Sequence, residues 1–552
     1  MKNLLDPGTK CLIVQSKFSD LSFWNYVEVC EIAGAKYPAA PLGLMTVAAL
    51  LPQQWEFKLV DENVEPLLDE HYQWADVVCV GGMLPQQKRL LAIIDEVHDH
   101  GLPVVVGGPD PSSQPEMYTS ADYLVRGEGE VTIPMFVDDL GRGAERGDYV
   151  SADRADMTKA VVPRFDLIRF KDYLQVGIQY TRGCPYNCEF CDIIELFGRK
   201  SRTKTPEHVV AELQALYDLG YRGHIDFVDD NFIGNKKNVR AVLPAIKEWS
   251  QARNYPFFFS TEASMNLADD EGLMQAMKDV DFRFVFLGIE SPEDQVLESV
   301  NKKQNVARPI SEAVKKISSY GMIVNAGFII GFDSEGAHTA ESMIACVEDS
   351  SICMAMVGKL YALPNTQLTR RLRGEGRLWE GGSKVTDEVD QMTTGLNFDT
   401  VRPRLDILKD YGRVIGSLYD PARYYARVTE TGLALRPAHK HKSGTMAKVR
   451  AGRSFLRLSK KVGFNRSTGP LYWKMLFTVL VKNWRGTEAA VNLAAMYVHF
   501  ERISAHIVEL TEREVAWLEH GRDGQRTAAA SPSPSWHPAP VAAAGMSSRA
   551  RG

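Results

Sequence analysis

The sequence predicts an α/β chain made of a doubly wound parallel sheet, then a partial (β/α)6 barrel, then a mainly helical carboxyl-terminal region. Three observations predict it. Short apolar runs alternate with helical stretches twice over, across residues 10–140 and again across 177–363, and strands that are apolar throughout, each followed by a helix, belong to parallel sheets covered on both faces. Glycines cluster immediately after the first set of runs, at Gly81 and Gly82, Gly107 and Gly108, and Gly127 and Gly129, where open parallel sheets keep their ligand crevice. Beyond residue 365 the pattern reads helical.

Bulk properties bound the answer. With 552 residues, 45% hydrophobic and 24% charged, the chain is long enough for two or three domains, each with its own core. The amino terminus, MKNLLDPGTK, has no apolar signal segment, and no run of apolar residues is long enough to span a bilayer. A cytoplasmic protein is therefore expected. The net charge of -6 gives no sign of a nucleic-acid partner.

The first unit, 1–140, strings together KCLIVQS, PLGLMTVAALLP, EFKLVDEN, ADVVCVGGM, KRLLAIIDEVHDHG, LPVVVGGPDPSS and ADYLVRGEGE. Residues 141–172 have little apolar periodicity and read as a linker. The second unit, 173–364, has strands expected at 177–183, 224–230, 256–263, 283–291, 322–332 and 354–363. Between the first two lies TPEHVVAELQALYDLG, where Thr205 caps, Pro206 suits the first turn and Gly220 stops the helix. Functional groups of such a barrel belong at the carboxyl ends of its strands. Residues 365–520 form the helical region, and 521–552, rich in Ala, Ser and Pro, read as a disordered tail.

Three of the eight cysteines fall within eight residues, in Cys184-Pro-Tyr-Asn-Cys188-Glu-Phe-Cys191, directly after the first barrel strand. Such spacing suits metal ligation rather than a disulfide framework. Three soft thiolates on one short loop can hold a 4Fe-4S cube and leave one iron open to another ligand. The alternative is zinc, but a structural zinc site needs four closed ligands, and no Cys or His follows close behind Cys191. The other cysteines, Cys11, Cys30, Cys79, Cys346 and Cys353, are scattered and form no second cluster.

This loop, with Phe190 before the last cysteine, resembles the hallmark of the radical S-adenosylmethionine (SAM) superfamily. The resemblance implies that the SAM amino and carboxylate groups chelate the open iron, and that reduction cleaves SAM to a 5'-deoxyadenosyl radical. By position, Asp229, Asp230 and Asn231 match the segment that meets the SAM amino group. Glu262, Ser264 and Glu290 match positions that reach the methionine carboxylate or ribose. Gly327 to Gly331 match the glycine segment near adenine. An electron donor such as flavodoxin or ferredoxin is implied as well.

A doubly wound, Rossmann-like domain ahead of such a barrel resembles the cobalamin-binding class of that superfamily, through PLGLMTVAALLP, LVDENVE, VVVGGPDPSS and VRGEGE. The resemblance points to Asp61, Gly81, Gly82, Gly107, Gly108, Gly127 and Glu128 as cofactor-binding. The Asp-x-His-x-x-Gly segment of other cobalamin proteins is missing. Asp61-Glu-Asn63 stands after the second strand and no histidine follows until His71, so no lower axial imidazole is expected. A similar domain with another ligand, or none, is the alternative.

At closer range CEFCDII, LFGR with KTPE, FVDDNFIGN, GIESP and LYALPNTQL resemble the hopanoid C-2 methylase group. Methylation of an unactivated carbon is implied, with a polycyclic lipid as candidate substrate and two SAM consumed per methyl. The alternatives are a cobalamin-dependent radical cyclase or rearrangement enzyme without methyl transfer, and a cobalamin-binding sensor or carrier. Between Glu430 and Glu488 there is no acidic residue, while Lys and Arg mix with Leu, Phe and Trp. That composition suits peripheral contact with the inner face of a membrane, and its alternative is a solvated basic helix beside an ordinary core helix.

Overall fold

A computed structural model describes residues 4–19, 22, 25–379, 395–438, 441 and 444–520; the expected tail, 521–552, lies outside the described residues. In chain order the amino-terminal strands are β1 (Lys10–Gln15), β2 (Tyr37–Ala39), β3 (Glu56–Asp61), β4 (Val77–Gly81), β5 (Val104–Gly107), β6 (Tyr123–Val125) and β7 (Gly147–Tyr149). Then come β8 (Tyr173–Ile178), β9 (Thr181–Arg182), β10 (Arg202–Thr203), β11 (Gly223–Phe227), β12 (Phe257–Ala263), β13 (Phe282–Glu290), β14 (Ile323–Ile330) and β15 (Ala355–Lys359).

Six strands form the first sheet, in the order β3-β1-β4-β5-β6-β7, all parallel. Alternation along each strand divides its core between two faces. Leu12, Val14, Val78, Val80, Val104 and Val106 pack on one side, and Cys11, Ile13, Val77, Cys79 and Val105 on the other. This is the doubly wound sheet that the apolar runs predict. The order reverses between β1 and β4, where Gln15 pairs with Gly81, and at such a switch point two connections leave in opposite directions and open a crevice.

The second sheet is parallel and ordered β15-β14-β13-β12-β11-β8-β2. All six expected barrel strands are present. The helix at Pro206–Asp218 begins as its sequence predicts, with the Thr205 hydroxyl accepting from the His208 N–H at 3.4 Å and Gly220 in the left-handed region at φ 85°. Two boundaries differ from expectation. The seventh strand, β2, comes from the amino-terminal unit, pairing Tyr37 with Tyr173 and Ala39 with Gln175. In turn β7, inside the expected linker, pairs with β6 and completes the first sheet. Both segments are three residues long, too short for a period to register.

The carboxyl-terminal region is built from helices Arg404–Leu418, Pro421–Ala434, Thr445–Gly463, Gly469–Lys482 and Thr487–His520. Glu28, on the helix Val27–Ala33, accepts from His499 at 3.1 Å and Arg502 at 2.5 Å, tying the amino-terminal segment to the last helix. Among the described residues no helix is long and apolar enough to cross a membrane.

Candidate active site

The cysteine loop hangs from a two-residue clip. β9 and β10 pair antiparallel, Arg182 with Arg202 and Thr181 with Thr203, closing the loop at its base. Gly183 then turns at φ 84°, and a Cβ there would lie 2.8–3.1 Å from the carbonyl oxygens of Lys200, Gly198 and Phe197. Only glycine fits that corner. Cys184 and Cys191 are half-buried and Cys188 is buried, all three as free thiols.

Amide N–H groups face two of the sulfurs. Asn231 Nδ2 lies 3.9 Å from Cys184 Sγ and Gln304 Nε2 lies 3.6 Å from Cys188 Sγ. Donors so placed favour thiolates that carry charge, and three thiols with no partner among themselves fit an iron-sulfur cluster. Phe190 packs at 5.8 Å against Phe332, with Lys302 Nζ 5.8 Å from its ring centroid. Lys302 pairs with Glu290. Glu290 sits at φ 67°, at the register shift between Gly288 and Glu290 of β13, a conformation unfavourable for a side-chain-bearing residue that the buried ion pair holds in place.

One cavity of about 2750 Å³ joins the two sheets and the helical region. Its upper wall is the set of carboxyl ends in the first sheet: Gln15, Asp61, Gly81, Gly82, Gly107, Gly108 and Gly127. The barrel contributes Phe190 and Cys191 of the cysteine loop, Asp230, Glu262 and Glu290 at or just past strand carboxyl ends, and Gly327 within β14. Three of the upper glycines are required by neighbouring backbone. A Cβ would come within 2.9 Å of the Gly107 carbonyl at Gly81, 2.8 Å of the Val125 carbonyl at Gly107, and 3.0 Å of Gly82 backbone at Gly108. Gly127, at φ 81°, faces open space. The crevice thus fits a large flat group such as cobalamin, which only backbone-walled strand ends would admit so closely. No histidine of the first sheet lines it; His71 instead accepts from the Leu68 N–H at 3.0 Å.

Of the three cysteines Cys191 lines the cavity while Cys184 and Cys188 lie behind it, and five other expected site residues have protein partners and do not line it. Asp229 is buried and accepts from the N–H groups of Tyr180 and Thr181 at 2.7 and 2.9 Å, so it shapes the turn into the cysteine loop. Asn231 donates to Ser264 Oγ at 3.2 Å, and Ser264 donates to Asn266, which reaches Tyr186 of the loop at 2.9 Å. These residues buttress the cysteines from below. The Gly331 N–H donates to the Glu335 carboxylate at 2.8 Å, under Leu396. Glu128 is locked between Arg182 at 2.9 Å and Arg202 at 2.7 Å, joining the first sheet to the clip. The Ala155 N–H also donates to the Glu128 carboxylate, at 3.3 Å.

Two of the acids that face the cavity, Asp230 and Glu262, are tuned upward. Burial, with Asp192 nearby, holds Asp230 at about 6 despite the Gly183 N–H. Enclosure and the carboxylates of Asp226, Asp230, Asp229 and Glu290 push Glu262 up to about 8, although its side chain opens onto the cavity and solvent there screens part of the effect. A cation entering this wall is favoured, as the ammonium and sulfonium of SAM would be.

The structure also brings in residues that sequence reasoning missed. Ser260 donates to Asp226, His224 Nε2 lies 2.7 Å from Ser260 Oγ, and all three line the cavity deeper in the barrel. Burial, then the nearby Arg283, lowers His224 to about 3, so it is neutral. The available signal was the alternation in His224-Ile225-Asp226-Phe227, which places two polar side chains on the inner face of β11. Around this patch the walls are apolar, with Phe258, Phe284, Phe286, Met354 and Met356.

Comparison with known proteins agrees with this geometry. The Radical SAM superfamily matches residues 178–347, a B12 binding domain matches 31–137, and a domain of unknown function (DUF4070) matches 366–513. The chain is 40% identical to an uncharacterized methyltransferase from Synechocystis sp., over 87% of this chain and 89% of that one. It is 34% identical to the hopanoid C-2 methylase of Rhodopseudomonas palustris, over 80% and 84%. The radical SAM methyltransferase TsrM from Kitasatospora setae, solved with cobalamin and a 4Fe-4S cluster bound, shares the fold with a TM-score of 0.58 and 16% identity, over 82% of this chain and 99% of that one. The chain belongs to the cobalamin-binding radical SAM superfamily. Its cofactors are a 4Fe-4S cluster, SAM and cobalamin, and its reaction class is methyl transfer.

Proposed function

We propose that the enzyme methylates an unactivated carbon of an apolar, ring-bearing lipid of the hopanoid type. The observation that carries the reading is the single cavity whose upper wall is the glycine crevice, whose side is the cysteine loop, and whose depth is apolar. The relative from Rhodopseudomonas palustris supports the same substrate class.

In this reading Cys184, Cys188 and Cys191 hold the cluster, and Asp230, Glu262 and Glu290 orient SAM. The crevice at Asp61, Gly81, Gly82, Gly107, Gly108 and Gly127 takes cobalamin. Bound there, these groups supply a hydrogen-abstracting 5'-deoxyadenosyl radical and a transferable methyl group, with two SAM and two electrons from an external reductant consumed per methyl.

The chain's own residues do the placing. Phe258, Phe284, Phe286 and Met356 hold an apolar ring system and exclude water, so the reacting carbon meets both cofactor faces in one orientation. The patch of His224, Asp226 and Ser260 binds one polar substituent at the far end, with the neutral His224 ring able to accept a hydrogen bond there without taking up a proton. Asp229, Asn231 and Ser264 keep the cysteine loop rigid beneath.

The test is anaerobic reconstitution with iron, sulfide and cobalamin, then turnover on a bacterial lipid extract with methyl-labelled SAM. Label in a polycyclic isoprenoid is expected. Label confined to water-soluble products contradicts the lipid reading, and 5'-deoxyadenosine without S-adenosylhomocysteine favours a radical cyclase or rearrangement.

A further inference from the structure

The two helices that carry the acid-free stretch pack as neighbours, yet their outer surface is unlike that of a soluble helix pair. Leu456 is 67% exposed, Phe464 81%, Phe477 59%, Val481 81% and Trp484 68%. Phe477 and Val481, four apart on the helix Gly469–Lys482, share one face, and Trp484 follows in the turn just past its end. Isolated exposed apolar side chains need no explanation, but a run of large ones on two adjacent elements marks a contact surface. Cations surround them. Lys448, Arg450, Arg453 and Lys474 have no ion-pair partner among the described residues, and no carboxylate lies between Glu430 and Glu488 to oppose them.

The same surface is a wall of the active-site cavity. Lys448, Ser454, Phe455, Phe477 and Leu480 line it, and of these Lys448, Phe477 and Leu480 are also exposed to bulk solvent. The cavity therefore reaches the outside between these two helices, at the end of the barrel remote from the glycine crevice.

We propose that this face docks on an anionic lipid bilayer and that the opening between Thr445–Gly463 and Gly469–Lys482 is the portal through which an apolar substrate enters. Charge complementarity selects the partner. Lys and Arg near an anionic surface are drawn to it, and Phe, Trp, Leu and Val insert at the headgroup boundary. Two further cations hold the first of these helices in place instead: Arg457 donates to the carbonyls of Glu31 and Ile32 at 3.3 Å, and Lys461 pairs with Glu31 at 3.8 Å. The portal rests on the lipid-substrate reading, whereas the docking face does not.

The experiment is flotation of the full-length holoenzyme with vesicles of phosphatidylglycerol and phosphatidylcholine, against phosphatidylcholine alone, at low and high salt. At least tenfold more protein is expected with the anionic vesicles, lost at high salt. The triple variant Phe464→Ser/Val481→Ser/Trp484→Ser, whose side chains are outside the cavity wall, and the triple variant Lys448→Glu/Arg450→Glu/Arg453→Glu are each expected to reduce binding at least tenfold. Circular dichroism checks that both are folded. Equal flotation on both vesicle types, or folded variants that float like the parent, overturns the docking face. Methylation of detergent-dispersed lipid by an enzyme that ignores vesicles removes this inference and leaves the substrate reading standing. Vesicle binding without any lipid methylation does the reverse.

Discussion

At the scale of single residues, chemistry and support are divided between side chains that are adjacent in sequence. Asp229 and Asp230 follow one another, yet the first is spent on two backbone N–H groups and the second faces the cavity beside Gly183. The division arises in the turn past the end of β11, where the chain bends between the two residues. The cysteines carry the least ambiguous assignment. Substituting Cys184, Cys188 or Cys191 with Ala is expected to remove most of the iron and reduce SAM cleavage by about a thousandfold or more, as loss of an obligate catalytic group does. Cys353→Ala, at a buried thiol near Thr431, is expected to leave iron content unchanged. Iron and sulfide analysis with a 5'-deoxyadenosine assay checks both.

At the scale of elements, the clip of β9 and β10 and the helix Val27–Ala33 are the two most consequential short pieces. Gly183→Ala forces a left-handed residue costing about 1–2 kcal/mol and sets a methyl against three carbonyl oxygens. The clip should open, and iron retained after desalting should fall below half of the parent's. The Glu28 ties give a pH signature. Burial raises the Glu28 carboxyl, but hydrogen bonds from His499 and Arg502 outweigh it and bring it to about 2 from 4.5. Because the folded value is the lower one, the stabilisation is complete above pH 4.5 and is lost as pH falls towards 2, about 1–2 kcal/mol once solvent screening at the exposed Arg502 is counted. Glu28→Gln should flatten that part of the acid unfolding curve followed by circular dichroism.

At the scale of the whole molecule, the sheets are coupled through Glu128, whose carboxylate is enclosed by Arg182 and Arg202. Removing one member of a buried ion-pair network costs about 3–5 kcal/mol. Glu128→Ala is therefore expected to lower the urea midpoint and to loosen the crevice against the cysteine loop. Product analysis should then show 5'-deoxyadenosine rising relative to methylated product, because the radical would form without the methyl donor held in register.

Much of this was legible in the sequence. Apolar strands of five or more residues, the three cysteines and the glycines after strands all follow local rules. What was not legible depends on partners remote in sequence. β2 is three residues that gain a strand's identity only beside β8. The ion pairs of Glu128 could not be read from the sequence, because its arginine partners are 54 and 74 residues away. Gly81, Gly107 and Gly108 read as ligand approach, and backbone of the neighbouring strand or its end also requires them. His224, Asp226 and Ser260 converge only once β11 and β12 pair, Asp226 with Ser260.

The central claim is that one cavity holds both cofactors against one substrate carbon, and product stoichiometry tests it most directly. With reconstituted holoenzyme, a lipid substrate and a reductant, methylated product, 5'-deoxyadenosine and S-adenosylhomocysteine should accumulate in equal amounts. Accumulation of 5'-deoxyadenosine with a modified lipid but no S-adenosylhomocysteine would contradict it.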